Sequence, residues 1–302
     1  MSEHYPRVRV HASHGAQIIR DGLKIGFYMH RSHREVAQNV MRSLETYLHA
    51  VGPQTLTDYL DLEGDWQLLD PQGWEAIRRS LIESHWSRIV LTDNPAGTPA
   101  FEFEYYCRRP GKLSEPDPAL VSAVGIWLPT EFLETQGPGR VRELALDLAS
   151  LLPFDSGHAG LFFNAELGYK ETEEALSRIC LRYPGMDIGE VESIVMRLDG
   201  RVKGPSWLTF LGQPVLGELG GVDGLRTRLS SPGTTIEPLA GERAVISLGP
   251  WPEAGDAHAG RNLPEYRELA RVLGPHLYRP SRPLSPYFPE DIWQRWARRF
   301  LD

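Results

Sequence analysis

Apolar residues recur at two spacings along this chain. The run Phe101-Glu102-Phe103-Glu104-Tyr105-Tyr106-Cys107-Arg108 alternates strictly. That period of two predicts a strand with Phe101, Phe103, Tyr105 and Cys107 toward a core, and with Glu102, Glu104, Tyr106 and Arg108 outward. Further strands are predicted over residues 7–11 and 24–30, with Asp21-Gly22 as a hairpin turn, and over 87–92 and 122–128. The helical spacing appears at Val36, Val40, Leu44, Tyr47, Leu48 and Val51, and Gly52-Pro53 ends that helix. Asp70-Pro71 supplies an N-cap and a first-turn proline for the next helix. Its predicted buried face is Trp74, Ile77, Leu81 and Ile82. In the second half, strands are predicted near residues 160–165, 194–198, 207–211, 234–237 and 244–248, with a helix over 173–183.

Two pairs of segments resemble each other within the chain. Arg140-Val141-Arg142-Glu143-Leu144-Ala145-Leu146-Asp147-Leu148 is echoed by Glu265-Tyr266-Arg267-Glu268-Leu269-Ala270-Arg271-Val272-Leu273. Gly73-Trp74-Glu75-Ala76-Ile77-Arg78 is echoed by Gly221-Val222-Asp223-Gly224-Leu225-Arg226. Both echoes are amphipathic at helical spacing. The expectation is an α+β fold of two related halves, residues 1–153 and 154–302, each a mainly antiparallel sheet packed with helices. Chance likeness between amphipathic helices is the competing explanation. A proline-rich segment, Pro275 to Pro289, leads to a last helix with Trp293, Trp296 and Phe300 on one face. That face is either a tail docked on the body or an exposed aromatic anchor for a partner.

The chain has 302 residues, 41% of them hydrophobic, and a net charge of −8 from 40 acids and 32 bases. This balance disfavours a nucleic-acid binder, which carries a basic patch, and suits a basic partner. Cys107 and Cys180 are too few for a disulfide framework and are expected to be reduced core thiols. The opening residues show no signal segment, and no apolar run approaches the ~20 residues of a membrane span. A cytoplasmic protein is expected.

Chemistry is sparse. There is no phosphate-binding loop, no dinucleotide fingerprint, no His-Glu-x-x-His and no nucleophile elbow. No lysine follows an acid at the Glu-x-Lys spacing of many metal-dependent nucleases. The best enzyme candidate is a metal-dependent hydrolase using His11, His14, His30 and His33, two pairs each three residues apart. A strand puts positions three apart on opposite faces, which works against a shared site. Acidic clusters are more suggestive. Asp58, Asp61, Glu63 and Asp65 share one short stretch, Glu171, Glu173 and Glu174 open a helix, and Glu102 and Glu104 mark one face of a strand. They are either ordinary solvated surface or a face that docks on a basic partner.

Several segments carry a family resemblance. They are Gly22-Leu23-Lys24-Ile25-Gly26-Phe27-Tyr28-Met29-His30, Pro138-Gly139-Arg140-Val141-Arg142-Glu143-Leu144-Ala145, Ser156-Gly157-His158-Ala159-Gly160, and Trp293-Gln294-Arg295-Trp296-Ala297-Arg298-Arg299-Phe300. Across most of its length the chain resembles the TsiV kind of type VI secretion immunity family, whose members protect against VRR-NUC nuclease effectors. The resemblance implies a cytoplasmic antidote with no catalytic residue, no cofactor and no metal. Such a protein binds a cognate effector toxin, a nuclease, and covers its active site or nucleic-acid groove. An effector-delivery adaptor or chaperone is the alternative within the same setting.

Overall fold

The structure, a computed structural model, describes residues 3–108, 121–280, 283 and 286–302. Lys112 and residues 281, 282, 284 and 285 of the proline-rich segment lie outside the described residues. The chain opens with an antiparallel pair, β1 (Arg9–His11) and β2 (Gln17–Met29). Their turn is at residues 12–16, where the Ala12 amide bonds the Ala16 carbonyl and Gly15 takes a φ of 93°. Asp21-Gly22 is therefore not the turn that its dipeptide suggests, because it lies inside β2. The Asp21 carboxylate is buried and accepts from the Val8 amide, the Arg9 guanidinium and the Thr130 hydroxyl. A Cβ at Gly22 would stand 3.0 Å from the Leu128 carbonyl oxygen, so the glycine serves close strand approach.

The next helices follow the sequence reading closely, and a short hairpin that it does not contain lies between them. Helix α1 (His33–Val51) opens on a capping box of Ser32 and Glu35, and Gly52 ends it with a φ of 107°. The short strands β3 (Asp58–Leu60) and β4 (Trp66–Leu68) form a hairpin. Asp70 caps α2 (Pro71–Ile82) by accepting the Gln72 and Gly73 amides. Ile77 and Leu81 are buried on α2, whereas Ile82 is exposed. Strands β5 (Arg88–Thr92), β6 (Glu102–Cys107) and β7 (Ser122–Pro129) then lead into α3 (Thr130–Leu151), which bends where Gly137 leaves helical geometry beside Pro138.

The second half begins with β8 (Ser156–Ala165) and α4 (Lys170–Ile179). Residues 194–198, expected as a strand, belong instead to helix α5 (Val191–Leu198). Val191, Ile194, Val195 and Leu198 are all buried there, which is helical spacing over two turns. The β-branched character of Val191, Ile194 and Val195 is outweighed by that packing. Strand β9 (Leu208–Leu211), helices α6 (Val215–Glu218) and α7 (Gly221–Arg228), and the hairpin of β10 (Thr234–Leu239) and β11 (Arg243–Leu248) follow. Helices α8 (Pro264–Leu273) and α9 (Glu290–Ala297) complete the chain.

Among the described residues, eleven strands make one antiparallel sheet. Its order is β10-β11-β9-β8-β2-β7-β6-β5-β3-β4, with β1 paired to β2. The two similar segment pairs do fall on helices, α3 with α8 and α2 with α7. The strand order outward from the β2–β8 pair is not repeated, being β7-β6-β5-β3-β4 on one side and β9-β11-β10 on the other.

Alternation along β2 builds two different faces. Ile19, Leu23, Ile25, Phe27 and Met29 enter the larger core beneath α1 and α3, with Val40, Leu44, Val141 and Leu144. On the opposite face α5 covers Tyr28 and Ala123. Helices α6, α7 and α8 pack on that same face farther along, against Leu211, Ala244, Ile246 and Leu248. Toward β4 this face carries no helix in the contacts of the described residues, and the candidate site lies there.

The terminal aromatic face is docked. Trp293, Trp296 and Phe300 are buried, Trp293 stacks on Trp296 at 5.0 Å, and Arg299 lies 3.9 Å from the Trp296 ring. Cys107 and Cys180 are buried free thiols, as expected. Replacing Trp296 by Ala should cost about 3–5 kcal/mol of stability. Urea unfolding monitored by circular dichroism checks this, and a loss under ~1 kcal/mol would mean that α9 adds little to the core.

Candidate functional site

Strand registers place one row of side chains across the uncovered face. Leu68 pairs with Asp58, Asp58 with Thr92, Thr92 with Glu102, Glu102 with Trp127, Trp127 with Lys24, and Lys24 with Gly160. Directly opposed residues on antiparallel strands share a face. The neighbouring row runs from Val90 through Glu104, Gly125 and Gly26 to His158. The two glycines leave room for neighbours: a Cβ at Gly125 would lie 2.6 Å from Val191 Cγ2, and one at Gly26 would lie 2.7 Å from His158 Cε1.

A cleft of 290 Å³ opens where the first row crosses the sheet. Lys24, Glu102, Glu104, Trp127 and Asn164 line it from the strands. The loop from Asn94 to Pro99, Glu166, Glu190 and Trp66 also border it. Asn164 ties the loop down by donating to the Pro99 carbonyl at 2.8 Å. Lys24 is 1% exposed, and its Nζ lies 2.8 Å from Glu104 Oε1 and 4.2 Å from the centre of the Trp127 ring. The Trp127 indole N–H donates to the same Glu104 oxygen at 2.8 Å. An ammonium with a carboxylate partner and an aromatic face is the arrangement that permits burial of its charge.

Glu102 makes no ion pair among the described residues and instead hydrogen-bonds Glu104. Burial pushes its carboxyl well above the usual range, the nearby Glu104 charge pushes it further, and Lys24 opposes both. Burial also raises Glu190, against a hydrogen bond from Ser193. Glu102 and Glu104 therefore face away from α1 as alternation predicts, but they line a cleft and do not project into open solvent. A folded-state value above the unfolded one means that Glu102 contributes stability fully below its unfolded pKa and loses it as pH rises through the folded value.

The other acids are dispersed. Asp58 is on β3, while Asp61, Glu63 and Asp65 form the exposed β3–β4 turn. Asp61 shapes that turn by accepting the Glu63 and Asp65 amides and the Gln67 side chain, and its pKa is lowered, chiefly by the Asp65 amide. Glu171 accepts the Ser13 amide at 2.8 Å, and Glu174 lies 3.7 Å from Lys170. Glu173 is fully buried and accepts the Gly168 amide. The structure thus brings Asp58, Glu102 and Glu104 onto one face with the hairpin turn beside them, and leaves the α4 acids outside the cleft lining.

The histidines do not converge. His11 lies near the start of β2, and His30 and His33 lie past its other end. A strand of this length spans about 40 Å at ~3.3 Å per residue. His30 bonds Asp155, and the buried His33 bonds the Tyr105 hydroxyl. A second polar cluster lies under α9, where Asp187 pairs with Lys203 at 2.5 Å and Arg299 at 3.1 Å. Burial acts to raise Asp187, but these two cations outweigh it and hold the carboxyl at about 2. That cluster anchors the tail.

Sequence reasoning missed Lys24, Trp127, Asn164, Glu190 and Trp66. One signal was available: Lys24 interrupts an otherwise apolar strand between Gly22 and Gly26.

The family profile described as "Type VI immunity for VRR-NUC" matches residues 39–300. The chain belongs to this TsiV family. The matched residues include the hairpin, α9 and the cleft lining apart from Lys24. A solved T6SS protein of Pseudomonas aeruginosa has a similar fold, with a TM-score of 0.82 at 19% identity, covering 97% of this chain and 87% of that one. No curated protein matches the chain. No helix among the described residues is long and apolar enough to cross a membrane.

The ionisation of Glu102 gives a direct test of the cleft's electrostatics. Glu102→Gln should be more stable than the parent at pH 8, and the two unfolding midpoints should converge near pH 4. Denaturation at pH 4, 6 and 8 measures this, and a difference independent of pH would show that Glu102 ionises freely in the folded protein.

Proposed function

We propose that this chain is a cytoplasmic antidote that binds a cognate type VI secretion effector of the VRR-NUC kind and blocks it by occupying its active site or nucleic-acid groove. Family membership across residues 39–300 is the observation that carries this reading. The uncovered sheet face supports it physically. A nuclease groove is positive because it holds phosphates. Asp58, Glu63 and Asp65 at the outer end of that face carry negative charge that complements such a groove and speeds encounter, while Glu104 is met by Lys24 and Glu102 is held toward its neutral form. The α4 acids Glu171 and Glu174 are a separate patch that a large partner reaches only by extending past the β1–β2 turn. The protein acts by binding and needs no catalytic group or cofactor for this task.

The deciding measurement is nuclease activity of a VRR-NUC effector from the same genome, with and without one equivalent of the purified protein. Loss of activity at equimolar ratio, with a complex stable on gel filtration, is the expected result. A complex in which the nuclease stays active would instead identify a delivery adaptor. Within the interface, Glu63 and Asp65 are the informative acids, because Asp61 also holds its turn together. Charge reversal at Glu63 and Asp65 should slow association about tenfold at low salt and flatten its salt dependence. Stopped-flow association rates between 50 and 500 mM salt check this, and unchanged rates would remove the turn from the interface.

A further inference from the structure

The sheet ends differently at its two edges. At one end β10 contains Pro238, and Arg142 of α3 reaches across to Glu237. Proline and covering charges are the usual devices that stop an edge strand from recruiting another strand. At the other end β4 has neither device. All three of its residues, Trp66, Gln67 and Leu68, are exposed. Leu62 and Leu68, at 73% and 71% exposure, are the two most exposed large apolar residues among the described residues, and Trp66 stands beside them.

The ladder shows which backbone groups are free for pairing. The Asp61 amide donates to the Asp65 carbonyl at 3.0 Å, and the Leu69 amide donates to the Thr57 carbonyl at 2.8 Å. With Tyr59 opposite Gln67, the hydrogen-bonded pairs are 57 with 69, 59 with 67 and 61 with 65. Such pairs alternate with non-bonded ones in an antiparallel ladder. Trp66 therefore turns its N–H and C=O, and Leu68 its N–H, away from β3 toward the open edge, while the Leu68 carbonyl lies against Gly73 of α2. The Trp66 and Leu68 side chains stand on the face that carries the cleft, in register with Leu60 and Asp58.

We propose that β4 is a strand-addition site, and that an extended basic segment of the VRR-NUC effector pairs with it through the backbone groups of Trp66 and the Leu68 N–H. This rests on the proposed function and specifies how the partner is held. Charge selects the occupant. Residues 57–69 contain Asp58, Asp61, Glu63 and Asp65 and no lysine or arginine. A second copy of this chain would bring the same acids against themselves, whereas a nuclease segment rich in lysine or arginine pairs with them. Backbone bonds then hold the segment, and Trp66 and Leu68 offer apolar cross-strand neighbours on the cleft side.

The test uses the intact protein and a catalytically inactivated VRR-NUC domain of the same effector. Amide hydrogen exchange by NMR reads Trp66 and Leu68 directly. Both amides should exchange rapidly in the free protein and become protected at least about a hundredfold in the complex. Leu68→Pro removes an outward N–H and no bond of the β3 ladder, so the fold should persist while affinity falls about tenfold or more. Leu68→Lys keeps the backbone donor but adds a like charge, and should weaken binding by a similar factor. A complex in which both amides still exchange as in the free protein would overturn the proposal, and this reading stands even if the proline variant misfolds. Protection of both amides without the effector, together with a concentration-dependent dimer on light scattering, would overturn it in favour of self-association. Failure of the parent protein to bind the effector at all would instead refute the proposed function.

Discussion

Both faces and both edges of β2 are committed. Ile19, Leu23, Ile25, Phe27 and Met29 fill the larger core, and the strand bonds β7 on one side and β8 on the other. A one-residue slip would carry Lys24 into the core beneath α1 and put Leu23 and Ile25 in the cleft. Register is thus fixed by burial on both sides at once. The even positions Gly22, Lys24, Gly26 and Tyr28 can then be used for shape and charge, because packing energy is already secured by the odd ones.

The helices divide the two faces unequally. Helices α1 and α3 cover one face, while α5 and the α6–α8 group cover only part of the other. What remains open is a strip of mixed polarity running from the Lys24–Glu104 pair to the β3–β4 hairpin. Burying Lys24 against Trp127 fixes Glu104, which accepts from both, at the inner end of that strip. A rigid arrangement of this kind loses little side-chain entropy when a partner docks.

Much of the fold was legible in the sequence because periodicity and burial agree. Strict alternation at 101–108 marked β6, and Asp70-Pro71 marked the start of α2. The misreadings have one cause. At Asp21-Gly22 and at residues 194–198 local preference points one way, and tertiary packing decides otherwise. The cleft was half visible. Glu102 and Glu104 were singled out, but their partners Lys24, Trp127 and Glu190 come from β2, β7 and the approach to α5, and no spacing within one segment records that they meet. The β3–β4 acids were visible as composition, whereas the open ladder beside them follows only from strand order.

The tail carries one more implication. Tyr5 and Val8 belong to the same core as Phe288, Trp293 and Trp296, so the two ends of the chain close it together. Synthesis proceeds from the N-terminus, and domains fold as their contacts become available. The larger core cannot close on the ribosome before residue 296 has emerged, and Arg299 must follow to neutralise Asp187. A chain truncated before α9 leaves tryptophan-sized gaps and a buried carboxylate short of one cation, and so becomes a substrate for cellular proteolysis.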